Sequence, residues 1–130
     1  MSYIPKYILK RMLPKDCIKA VDDGVEITFL NVISPIAIEE IPDNPLDYIE
    51  FIVDGKAIPD DVVKNVKISM DDEVATIDNL KQYIGRTIPV GGKLIINLPL
   101  ADVSAGEEHE FDITLKTDNP FNIKVKRKIQ

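Results

Sequence analysis

The sequence predicts an all-β chain, a two-sheet antiparallel β-sandwich of the immunoglobulin-like kind with one short helix. Three observations predict it. Short runs rich in Val, Ile, Thr and aromatic residues recur along the whole chain. Turn signals such as Asp54-Gly55, Gly91-Gly92 and Asn119-Pro120 separate them, because Gly, Asp, Asn and Pro each favour the backbone angles of turns. Between the runs no long helical pattern occurs, so a parallel sheet has no crossover helices to connect it. Two antiparallel sheets packed face to face answer that pattern; closure into a barrel is the alternative.

Taken in order, Tyr3 to Leu13 reads as a first strand interrupted by Pro5, and Pro14-Lys15-Asp16 ends it. Cys17 to Val21 and Val25 to Ser34 flank Asp22-Asp23-Gly24, a hairpin signal in which Gly supplies a positive φ. In the second run Val25, Ile27, Phe29, Asn31 and Ile33 share one face, and the other face turns apolar in its later half. Pro35, Pro42 and Pro45 leave Ile36 to Ile41 as a short strand or an irregular edge. Leu46 to Val53 is a strand, Asp54-Gly55 turns it, and Lys56 to Ile58 returns. "PDDVVKN" reads as a loop or one helical turn. Val66 to Met70 and Val74 to Thr76 form a hairpin around Asp71-Asp72-Glu73.

The one helix expected is "TIDNLKQYIG". Thr76 would be its N-cap, Ile77, Leu80, Tyr83 and Ile84 its apolar stripe, and Gly85 its C-terminal stop. Gly91-Gly92 then turns the chain into a strand from Lys93 to Leu98. Strands Glu108 to Thr117 and Phe121 to Ile129 close it, joined by the turn Asp118-Asn119-Pro120. The total is eight or nine strands.

Length supports a single domain, residues 1–130. A chain of this size buries roughly two-thirds of its unfolded surface, enough for one core. No stretch reaches the about 20 apolar residues of a membrane span. The first residues lack a signal-peptide pattern, and the single Cys17 has no intrachain disulfide partner. These features lead us to expect a cytoplasmic protein. The net charge of −6 argues against nucleic acid as a partner. Residues 39–78 hold twelve acids and three lysines, whereas the closing strand Asn122 to Lys128 is basic. That basic run reads as a solvated edge strand, since lysines discourage edge-to-edge pairing.

His109, the only histidine, is the candidate ligand-contact residue. Alternation places it with Phe111, Ile113 and Leu115 at the head of an inward-facing row, and Glu108, Glu110, Asp112 and Thr114 opposite. The acids around it are thus expected mostly to point away. One His and one Cys do not make a zinc set, so no metal is assigned and no cofactor is expected. The pairs Asp22-Asp23, Asp60-Asp61, Asp71-Asp72 and Glu107-Glu108 read as turns, because neighbouring carboxylates do not oppose each other across a substrate. Gly91-Gly92-Lys93 lacks the remaining residues of a phosphate loop. Cys17 reads as a small buried hydrophobe. No catalytic residue is assigned, and a self-contained enzyme is poorly supported. A metal-dependent enzyme centred on His109 is the weakest of the three readings kept open.

The order of the motifs "YIEFIVDGKAIPDD", "ATIDNL", "KLIINL" and "LADVSAGEEHEFDITL", after the opening "YILKRML…DDGVEITFLNVISPIAI", resembles the small β-subunit of bacterial C-glycoside deglycosidases. The match runs over roughly residues 7 to 116. "GRTIPVGG" stands where that family often carries an aromatic-rich stretch, Gly106-Glu107-Glu108-His109 has one residue more than its usual Gly-Glu-His, and the tail runs further. The resemblance implies a β-sandwich subunit that pairs with a larger, sugar-isomerase-like catalytic subunit holding the metal and the acid/base groups. The other reading is a stand-alone sandwich acting as a binding or structural module through self-association.

Overall fold

The computed structural model describes residues 6–32, 35–37, 44–70, 73–100, 103–116 and 121–130. Eleven strands lie among them: β1 (Ile18–Val21), β2 (Gly24–Leu30), β3 (Ile36–Ala37), β4 (Ile49–Val53), β5 (Lys56–Ala57), β6 (Lys67–Met70), β7 (Glu73–Thr76), β8 (Thr87–Ile88), β9 (Lys93–Leu98), β10 (Glu108–Leu115) and β11 (Phe121–Lys128). Two short α-helices, α1 (Lys6–Met12) and α2 (Asp60–Val63), and 3-10 turns at Pro45–Asp47 and Leu80–Tyr83 complete the chain. The expected structure at Tyr3–Pro5, Ile33–Ser34, Ile38–Ile41, Asp71-Asp72 and Asp118–Pro120 lies outside the described residues.

One sheet runs β1-β2-β9-β6-β7 and the other β11-β10-β4-β5, with β3-β8 as a separate ribbon. All recorded pairings are antiparallel. The first four strands of the larger sheet stand in the A-B-E-D order of an immunoglobulin domain, and the smaller sheet in the order G-F-C-C′. The core lies between the sheets. Ile18, Val25, Ile27, Phe29, Ile96 and Leu98 meet Ile49, Phe51, Phe111, Ile113, Ile123 and Val125. Alternation dictated that face: after Gly24, itself buried, the buried residues of β2 are Val25, Ile27 and Phe29. Asn31 continues the row as a buried polar residue and is satisfied, its amide donating to the carbonyls of Ile88 and Pro89 at 3.0 and 3.2 Å.

Three expectations are corrected. Lys6–Met12 is a helix and not a strand. Alternation would set Arg11 among the apolar residues, whereas helical spacing gathers Ile8, Leu9, Met12 and Leu13 on one face, and Met12 and Leu13 are fully buried. The expected two-turn helix is one 3-10 turn, Leu80–Tyr83. Thr76 belongs to β7, and the Asn79 side chain turns back to accept its N–H at 2.7 Å. A run this short forms no stable α-helix without packing on its whole stripe, and Ile84 stays exposed. The strand expected from Leu46 begins at Ile49, behind the Pro45–Asp47 turn.

The edges of the larger sheet are capped by the chain itself. At β7 the Tyr83 hydroxyl donates to the Val74 carbonyl at 3.3 Å, beside the Asn79 contact to Thr76. At β1 the C-terminal Gln130 donates to the Ile18 carbonyl at 2.8 Å and accepts from Ala20 N–H at 3.0 Å. That places the end of the chain on the larger sheet while β11 belongs to the smaller one. Such capping removes the unpaired backbone groups that template aggregation. β11, the edge of the smaller sheet, carries Lys124, Lys126 and Lys128 exposed, as expected for a basic edge.

Arg127 fastens α1 to this frame. Its Nε and Nη2 both donate to the Leu13 carbonyl, at 2.9 and 2.6 Å. A cation there meets the negative end of the helix backbone as well as an orphan carbonyl. Arg127→Met, which keeps the stem and removes the donors, is expected to lower unfolding stability by about 1–2 kcal/mol. Urea titration followed by circular dichroism checks it; an unchanged midpoint would show that the contact is idle.

Candidate functional site

The site begins with backbone. Asp54 and Gly55 both take positive φ, 54° and 80°, as the two central residues of a type I′ hairpin turn require. This turn joins β4 to β5, with Val53 paired to Lys56. β4 in turn pairs with β10, Val53 opposite Phe111. The turn therefore overhangs the start of β10, where His109 stands one step along the inner row from buried Phe111. The Asp54 carboxylate reaches back across that step. Its Oδ1 accepts Glu110 N–H at 2.8 Å, and its Oδ2 lies 2.5 Å from His109 Nδ1. On the other side His109 Nε2 lies 3.4 Å from Glu107 Oε1. The ring meets Phe111 edge-on, with centroids 6.5 Å apart.

His109 thus heads the inward row, as alternation predicts, but the acids near it do not all point away. Glu108 and Glu110 do, forming ion pairs with Lys126 and Lys124 at 3.6 Å on the outer face. Glu107 turns toward the ring, and Asp54 arrives from a distant segment. The contact from Glu110 N–H, followed by His109, holds the Asp54 carboxyl below the usual range. The Asp54 contact, opposed by burial and aided by Glu107, raises the affinity of His109 for its proton.

The arrangement resembles half of a nucleophilic triad, a carboxylate orienting an imidazole. The remaining ring nitrogen, however, faces Glu107, and no hydroxyl or thiol among the described residues bonds to it. Cys17 is buried elsewhere, beside Arg127, and burial pushes its thiol up to about 11. It is therefore a protonated, unreactive thiol near neutral pH. No group of three His, Cys, Asp or Glu side chains able to hold a metal ion occurs among the described residues. Of the acidic pairs, Asp22-Asp23 forms the β1–β2 turn and Asp60-Asp61 opens α2.

Sequence reasoning missed Asp54 and Arg127. The signal for Arg127 was present: it continues the inward row of Ile123 and Val125 in β11, so its side chain had to turn inward and find acceptors. Asp54 carried only a turn signal. No protein-family model matches the chain, and neither does any curated protein.

Proposed function

We propose that the chain is a non-catalytic β-sandwich subunit that assembles with a larger, sugar-isomerase-like catalytic subunit, as its resemblance to C-glycoside deglycosidase small subunits implies. The observation that carries the reading is the difference between its two outer faces. On the smaller sheet three lysines are paired with carboxylates, Lys116 with Glu50 at 3.1 Å beside the two pairs described above, and Lys128 stands outside these pairs. On the larger sheet the register lines Thr28, Ile95, Ser69 and Val74 in one uncharged row. Exposed Lys19, Lys67 and Lys93 flank that row, with Glu26 as the acid in the same register, and these lysines have no ion pair among the described residues.

An uncharged centre with a polar rim is how a protein interface is built, and a basic rim fits a partner surface carrying carboxylates. A second copy of the same face would bring lysines against lysines, which disfavours face-to-face self-association. Two segments of the motif order, the Val-Asp-Gly hairpin and the Gly-Glu-Glu-His strand, also meet in the fold through Asp54 and His109.

In the native host, the tagged chain is expected to co-purify with a larger subunit. A Val74→Glu, Ile95→Glu double variant is expected to lose that subunit about tenfold or more, equivalent to about 1.4 kcal/mol. Lys128→Glu on the opposite sheet should retain it. A strictly solitary chain, or a double variant that keeps its partner, would sink the reading. A dimer in light scattering that this double variant dissolves would instead favour the stand-alone module.

A further inference from the structure

His109 is held in a way that a neutral imidazole does not satisfy. Both ring nitrogens face carboxylate oxygens, Nδ1 that of Asp54 at 2.5 Å and Nε2 that of Glu107 at 3.4 Å. A neutral ring has one N–H and one lone pair, so one carboxylate would meet a lone pair. The imidazolium donates to both. The Glu107 contact is the longer and therefore the first to be lost.

Glu107 is also a structural joint. Its Oε1 accepts Ser104 N–H at 2.7 Å, and its carbonyl accepts Ile129 N–H at 2.8 Å. Gly106 N–H donates to the Ile129 carbonyl at 2.7 Å, and the next residue, Gln130, bonds to β1. The turn that Glu107 belongs to thus grips the segment that crosses from the smaller sheet to the larger.

We propose that His109 is a proton-operated latch: charged, it ties the Ser104–Glu107 turn to the β4–β5 hairpin, and uncharged, it keeps Asp54 and releases Glu107, loosening the turn and the C-terminal segment. The charged groups around it come from three elements. Asp54 lies on the β4–β5 turn and Glu107 ahead of β10. Arg127 stands opposite His109 in the β11 register, but its guanidinium is committed to the Leu13 and Lys126 carbonyls. Lys126 acts on Asp54. The two carboxylates raise the proton affinity above the ordinary 6.5. The latch is therefore fully closed below that value and opens as pH rises through the raised one. The latch stands whether or not the chain has a larger partner.

His109 is the only histidine, so its ring signals in NMR need no assignment among several. The experiment follows those signals and the amide exchange of Gly106 and Ile129 from about pH 5 to about pH 9, in the wild type and in Glu107→Gln. The wild-type ring is expected to titrate above 6.5, and Glu107→Gln to move the midpoint down. Corrected for intrinsic base catalysis, protection at Gly106 and Ile129 is expected to fall about threefold or more through the wild-type titration and to stay level in the variant. A ring midpoint at or below 6.5, a midpoint unmoved by Glu107→Gln, or protection unchanged through the titration would each overturn the latch. Asp54→Asn tests the retained arm. Because Asp54 also holds the Glu110 amide, the first two proteins decide the question if that variant does not fold.

Discussion

Gly24→Ala is expected to cost about 3 kcal/mol or more of unfolding stability. Gly24 opens β2, after the two-residue Asp22-Asp23 loop, paired with Val21. A Cβ built there would lie 2.2 Å from the Leu98 carbonyl oxygen, 2.5 Å from Leu100 N and 2.8 Å from the Pro99 Cα. These are backbone atoms at the end of β9, the strand paired to β2, so no side chain can swing away to make room. Its φ of 155° is also one that residues with a Cβ rarely adopt. The sequence reading gave this glycine the positive φ of a hairpin turn. That positive φ is present, at 155°, and the residue also serves the close approach between strands. The chain has no Trp, so urea unfolding is best followed by circular dichroism. A variant within about 1 kcal/mol of the wild type would show that β9 can yield at this point.

Phe111→Ala is expected to lose about 3–5 kcal/mol, the range for emptying an aromatic site that cannot collapse. Phe111 is 1% exposed and stands between Val53 on β4 and Val125 on β11. It packs into the main core, where both sheets meet. Because a domain of this size has a total stability of about 5–15 kcal/mol, the loss takes a large share of it. The same variant removes the ring against which His109 rests edge-on. Phe111→Leu separates the two effects. It refills most of the volume and should recover most of the stability, while the edge contact stays lost. A loss below about 1.5 kcal/mol for Phe111→Ala would mean that the sandwich repacks around the vacancy.

Much of the frame was legible. β9 runs over the residues expected after the Gly91-Gly92 turn, Lys93 to Leu98, and β10 and β11 fall within those expected. The Asp54-Gly55 turn was readable because a type I′ turn needs two positive φ angles and few residue pairs supply them. The helix at Lys6–Met12 was not. Its seven residues are too few for periodicity to separate a helix from a strand reliably, although Arg11 fits the helical spacing better, and the core beneath Met12 and Leu13 holds the helix. The candidate site was half legible. His109 was found as the one unusual residue on an inward row, whereas its partner Asp54 is 55 positions away, beyond the reach of any local pattern.

By itself the sequence determined the class of this protein. Its period of two, its turn residues and its lack of long helical stripes are properties of neighbouring residues, and they select antiparallel sheets with a shared core. Tertiary structure alone decided what the ends and edges do. Arg127 caps a helix 114 positions earlier, Gln130 closes the edge at β1, and Asp54 and Glu107 meet on opposite sides of one imidazole. The physical reason is range. Alternation and turn preference act within a few residues, whereas a hydrogen bond between distant segments exists only once packing has brought its two ends together.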